Sequence, residues 1–101
     1  DAAAHHALAL CRDGRRDPLG ALDHAQTAVY LDPSFAIARL HLGLRARKAG
    51  DLATARRELA EARALLPDED DVRLLLFGGG FGRDGLVALC TAELARCGGA
   101  A

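Results

Sequence analysis

A chain of 101 residues holds one small domain with a single core, too little for an enzyme domain and an accessory one together. Half of its residues are apolar, only 4% are aromatic, and Ala and Leu are the commonest, which favours helices over sheets. A formal net charge of -1 excludes the broadly basic surface of an ordinary nucleic-acid binder, and no apolar run reaches the length of a membrane span.

Residues 2–13 read as a helix closed by the turn Gly14-Arg15-Arg16. The chain opens at Asp1 with that helix already under way, which reads as a piece of a longer protein. Asp17 suits an N-cap and Pro18 a first helical residue, so a second helix is expected over about 18–31. Asp32-Pro33-Ser34 breaks it, and Ser34 is placed to cap a third helix over about 35–49 that ends at Gly50. Asp51 caps a fourth helix running to Leu66, where Pro67 stops it. Connections this short make neighbouring helices antiparallel.

The last third is less regular. Asp68 or Asp70 starts a short helix through Val72-Arg73-Leu74-Leu75-Leu76-Phe77, and Gly78-Gly79-Gly80-Phe81-Gly82 must interrupt it. A final helix over about 85–97 carries Leu86, Leu89, Cys90, Leu94 and Cys97 on one stripe. Arg39, Arg45, Arg47, Lys48, Arg56 and Arg57 make the middle basic. The acidic run Asp68-Glu69-Asp70-Asp71 is read as a helix N-terminus rather than a cation site. Three cysteines without a framework spacing are read as buried, reduced thiols of a cytoplasmic protein. On one helix Cys90 and Cys97 would stand roughly 10 Å apart, beyond the roughly 7 Å limit for a bridge.

Two copies of one pattern end at Pro33 and at Pro67. Ala21, Ala25 and Ala28 precede the first proline, and Ala55, Leu59 and Ala62 the second. A 34-residue period of two helices with small residues at set places resembles the tetratricopeptide repeat (TPR). The resemblance implies an all-α helical-hairpin solenoid whose work is holding another protein. Residues 36–69 resemble the repeat closely, with Leu42-Gly43, Gly50-Asp51, Ala55, Leu59, Ala62 and Pro67. Residues 2–35 match less fully, through Leu8-Ala9, Ala21, Ala25, Ala28 and Pro33. Residues 70–98 are left as a degenerate third repeat or a cap. His5 and Arg39 stand where the repeat has an early aromatic, and Arg12 and Ala46 where it has a later one, so packing within each unit is expected to be aliphatic. A leucine at Gly43 or Ala55 is expected to overpack the hairpin.

A narrower resemblance covers most of the chain. Tyr30-Leu31-Asp32-Pro33-Ser34-Phe35-Ala36, His41-Leu42-Gly43, Gly50-Asp51 and the tail at Asp84-Gly85-Leu86 are similar to the C-terminal TPR extension of bacterial chemoreceptor glutamate methyltransferases. The catalytic domain that uses S-adenosylmethionine is not in these residues, so no catalytic, cofactor-binding or metal residue carries over, and this fragment is not expected to be an enzyme. The implied role is regulatory or targeting. Its partners would be a protein or peptide, such as a chemoreceptor cytoplasmic region or the parent's own methyltransferase domain, with homodimerisation left open. A general TPR scaffold in another bacterial pathway is the alternative reading.

Two further patterns bear on function. Gly80-Phe81-Gly82-Arg83-Asp84-Gly85 is a literal GxGxxG, the basis of a third reading as a cofactor-binding enzyme fragment. The helical context upstream and the lack of room for a second strand favour a turned linker instead. His5, His6, His24 and His41 lack a carboxylate or Cys at ligand spacing, although His6 and His24 could approach each other.

The TPR resemblance also implies a groove lined by the first helix of each pair. Its positions fall on Ala3, His6, Leu10 and Asp13, then on Ile37, Leu40, Leu44, Arg47 and Lys48. Arg47 and Lys48 are expected to be exposed, giving an apolar surface with a basic end that suits an apolar peptide or helix with a flanking acidic group. The open alternative is that Leu40 and Leu44 bury against the last helices. The Asn-plus-Lys clamp with which some TPR co-chaperones hold a C-terminal carboxylate is missing at the matching places.

Overall fold

The computed structural model describes residues 1–14 and 18–98, and the side chains of these outside 12–22. The described residues form helices α1 (Ala2–Gly14), α2 (Pro18–Leu31), α3 (Ala36–Lys48), α4 (Leu52–Leu65), α5 (Asp71–Phe77) and α6 (Arg83–Arg96), with a 3-10 turn at Leu66–Asp68 and no strand. The Asp17 cap lies outside the described residues.

Most boundaries have a visible chemical cause. Asp1 Oδ1 accepts from the N–H of Ala3 at 2.9 Å, which satisfies a donor in the first turn of α1. Gly50, at φ +84°, follows α3; the N–H of Asp51 reaches back to the Ala46 carbonyl and that of Gly50 to the Arg47 carbonyl, the paired bonds of a Schellman ending. Asp51 then caps α4 by accepting from Thr54 N–H at 3.1 Å, and the Thr54 side chain first, then this N–H, hold its carboxyl below the ordinary carboxylate range. Pro67 does not stop α4 directly: the helix ends at Leu65, and Leu66-Pro67-Asp68 continue as a tighter turn.

Ser34 does not cap α3. Its hydroxyl donates to Asp32 Oδ1 at 2.7 Å, the N-cap position falls on Phe35, and no side chain caps from there. The donor of the first turn is met from outside, because Ile37 N–H points at Glu69 Oε2 at 3.3 Å. In the acidic run, Asp70 caps α5 through the N–H groups of Val72 and Arg73, at 2.7 and 3.2 Å. The run therefore serves two helix N-termini, one of them distant in sequence.

α1 packs on α2 and α3 on α4; α2 also packs on α3, and α4 on α6. Burial repeats across the two hairpins. Ala2 and Ala36, His6 and Leu40, Ala9 and Gly43, Ala25 and Leu59, and Ala28 and Ala62 are all buried, the members of each pair separated by the same interval as Pro33 and Pro67. Other pairs break the symmetry, among them Ala4 with Ala38 and Leu8 with Leu42: Leu42 is 8% exposed and Leu8 44%. Leu42 lies against Ala9, Ala25 and Val29 of the preceding hairpin, whereas Leu8 belongs to the first.

Candidate partner-binding groove

His6, Leu10, Ile37, Leu40 and Leu44 come together in one cavity of about 190 Å³ between α1 and α3. Its other wall is Phe77, Gly78, Gly79, Phe81, Leu86 and Leu89. The α5–α6 segment therefore lies across the groove, and Ile37 and Leu40 are buried at 4% and 5% exposure. Leu10 stays exposed and Ala3 is half-buried. The side chain of Asp13 lies outside the described residues. Lys48 is exposed and lines a neighbouring open depression with His41, Leu44, Arg45 and Ala49.

Arg47 is not free at the basic end. Its Nε is ion-paired with Glu93 Oε2 of α6, and Glu93 is otherwise buried. The expectation of an exposed pair thus holds for Lys48 alone. Placement on the fourth turn of α3 left Arg47 equally able to face solvent or a later helix, and the sequence shows no sign of where α6 packs.

An aromatic cluster drawn from α1, α3, α5 and Phe35 lines the groove, whereas the buried residues between the helices of each hairpin are Ala and Leu. The His6 ring stands 5.2 Å from that of Phe35, 5.6 Å from His41 and 4.8 Å from Phe77, the last two edge-on. Phe35 and Phe77 lie 6.1 Å apart. Burial lowers the His6 pKa to about 4, helped by the nearby charges of His41 and Arg73. Its Nδ1 is buried without a hydrogen-bond partner, consistent with a neutral ring held by packing.

Sequence reasoning missed Phe77, Phe35 and Arg73. The available signal was scarcity: the chain has three phenylalanines, and all three gather at or beside this groove. Arg73 Nη1 donates to Asp32 Oδ2 at 2.6 Å, and its guanidinium lies 3.8 Å over the Phe35 ring. Hydrogen bonds from Ser34 and then Arg73 hold the Asp32 carboxyl below its ordinary range.

The remaining candidates have structural places. His24 meets His5, not His6, with the two Nδ1 atoms 3.0 Å apart. Among the described residues no group of three or more His, Cys, Asp or Glu is arranged to hold a metal ion. Residues 74–77 are helical, so the glycine motif at 80–85 links α5 to α6 instead of following a strand. Cys90 and Cys97 are buried, and burial pushes the Cys90 thiol up to about 11; Cys11 is exposed, against the expectation that all three are buried. No described helix is long and apolar enough to cross a membrane. Set against known proteins, the chain matches no family model, no curated protein and no solved structure.

Proposed function

We propose that this chain is a protein-binding module of two TPR hairpins, α1–α2 and α3–α4, closed by α5 and α6. In this reading it acts as the regulatory or targeting part of a bacterial chemoreceptor glutamate methyltransferase. The observation that carries the binding role is the recurrence of burial from one hairpin to the next, from Ala2 with Ala36 to Ala28 with Ala62, together with the convergence of His6, Leu10, Ile37, Leu40 and Leu44 on one groove. A groove of apolar side chains with exposed Leu10 and Lys48 beside it suits a peptide or helix better than a reacting small molecule. The methyltransferase assignment rests on the resemblance around Tyr30–Ala36 and on the tail at Asp84-Gly85-Leu86.

Calorimetric titration of the chain with a purified cytoplasmic fragment of a bacterial chemoreceptor, and with a methyltransferase domain supplied in trans, tests both parts. Binding should be lost in Leu10→Glu and weakened in Lys48→Glu while helicity is unchanged, since both side chains are exposed. Failure of the wild-type chain to bind either partner overturns the methyltransferase assignment. Binding that neither substitution affects overturns the groove.

A further inference from the structure

The helix that lies across the groove has the form of a ligand. α5 has seven residues, none of them buried. Arg73, Leu74 and Phe77 sit at i, i+1 and i+4, on one face, and each engages the rest of the molecule. Arg73 reaches Asp32 and covers Phe35, Leu74 packs on the core, and Phe77 meets His6. The opposite face carries Val72, Leu75 and Leu76 at 60%, 83% and 64% exposure.

We propose that α5 is a displaceable self-ligand, and that the groove accepts a partner helix presenting an arginine, a leucine and an aromatic residue at the spacing of Arg73, Leu74 and Phe77. This rests on the protein-binding reading above and gives it a regulator: the partner binds by replacing α5.

Three features make release local. A helix of seven residues is too short to persist alone, so α5 is ordered by the groove it occupies. It ends in Gly78-Gly79-Gly80, where Gly79 and Gly80 adopt φ of +63° and +87° and no neighbour lies within 4 Å of where a side chain would start. α6, by contrast, is fastened without α5. Arg47 pairs with Glu93, Arg56 donates to the Cys97 carbonyl at 2.9 Å, and Arg83 donates to the Glu69 carbonyl at 2.9 Å. The ion pair from α6 to α5 joins Arg83 to Asp71, whose side chain is 95% exposed. Phe35, Ile37 and Leu40 stay in place when α5 leaves, because they belong to one core cluster with Leu59 and Ala62 of α4 and Leu86 and Cys90 of α6.

The occupant also defines the chemistry recognised. Asp32 and Glu69, with Arg73 Nη1 3.7 Å from Glu69 Oε1, form an acidic end that takes a guanidinium stacked on Phe35. The His6 and Phe35 rings take the aromatic side chain. Leu74, on the same helix face, packs against the core.

Hydrogen exchange on the wild-type chain reads the release directly. The amides of α5 should exchange at least ~100-fold faster than those of α3 and α4, through an opening smaller than global unfolding. Equal protection in α5 and α4 overturns the proposal without any substitution. A labelled peptide of residues 68–78 then serves as the competing helix. It should bind Phe77→Ala about 10–100-fold more tightly than wild type, because self-occupancy lowers apparent affinity by the open fraction. A peptide carrying alanine in place of both Arg73 and Phe77 should not bind. Equal binding to both chains, or none to a Phe77→Ala chain that keeps its helicity and cooperative unfolding, overturns it. A wild-type dimer that the peptide dissociates would assign the groove to α5 of a second copy and overturn the partner-helix reading. An α5 that opens and is competed away in a chain that binds no receptor fragment keeps this inference and loses the assigned partner; a fixed α5 with receptor binding does the reverse.

Discussion

Gly43 lies so close beneath Leu59 that a methyl group on its Cα would stand 2.7 Å from Leu59 Cγ and 2.9 Å from Cδ2. The contact joins α3 to α4 at the place where Ala9 and Ala25, both fully buried, join α1 to α2. A large residue over glycine in one hairpin and two alanines in the other are two solutions to the same helix separation.

Gly43→Ala should therefore destabilise. Helix propensity alone favours alanine by ~1 kcal/mol, but overpacking costs about 1–3 kcal/mol and Leu59 N also lies 3.2 Å from the added carbon, so the backbone limits relief. In a Leu59→Ala background the sign should reverse. That substitution alone costs roughly 2–5 kcal/mol, yet Gly43→Ala added to it should return up to ~1 kcal/mol, since the pair then repeats Ala9 and Ala25. A urea-unfolding double-mutant cycle measures the coupling, and purely additive effects would mean the two residues do not share the contact.

A second equivalence lies beside the first. His5 meets His24 in the first hairpin, and at the matching place in the second Arg39 Nη1 donates to Glu58 Oε2 at 3.0 Å. Replacing His5 with Arg and His24 with Glu should carry the ion pair back by one period. Partial exposure limits the gain to about 0.5–1 kcal/mol, which raises Tm by a few degrees in a domain of this size. Either substitution alone should gain less than the pair. Thermal unfolding at low and high salt checks this, since a genuine ion pair loses part of its advantage in salt.

These two equivalences show which parts of the molecule the sequence made legible. Helix boundaries set by Pro18, Gly50, Asp51 and Asp70 were readable, because each acts on its own backbone neighbours. The small residues at 9, 25, 28, 43 and 62 were readable because the period repeats them. What crosses the chain was not. Glu69 serving the first turn of α3, Arg47 turning to Glu93 and Phe77 covering His6 depend on where α5 and α6 settle, and the glycine run separates those helices from the periodic pattern. The last helices could be named only as an alternative cover for Leu40 and Leu44, and not which of their residues lie there.

The buried His6 should make stability depend on pH. Its pKa in the folded protein is about 4, lowered chiefly by burial and further by His41 and Arg73, against about 6.5 in the unfolded chain. The unfolded state thus binds more protons between these values. The stabilisation is complete above pH ~6.5 and is lost as pH falls toward 4, by on the order of 3 kcal/mol. His6→Leu, which places at residue 6 what Leu40 supplies one period later, should flatten the profile across that window. Urea midpoints from pH 4 to pH 8 provide the measurement, and an unchanged slope in the variant would move the titration to another group.

Arg47 and Lys48 stand side by side at the end of α3, yet their charge reversals should differ. Glu93 is 7% exposed and its carboxylate faces Arg47 Nε, so Arg47→Glu would set two carboxylates against each other in a poorly solvated place. A cost of about 2–4 kcal/mol is expected, close to that of breaking a buried pair. Arg96 Nη1, 3.7 Å from Glu93 Oε1 and largely exposed, offers only weak compensation. Lys48→Glu should change stability by less than ~0.5 kcal/mol, as for other surface substitutions. Adding Glu93→Arg to Arg47→Glu should recover most of the loss, because the pair is restored with its direction reversed. Recovery distinguishes the ion pair from a packing role of the Arg47 stem, which the reversed pair would leave unrepaired.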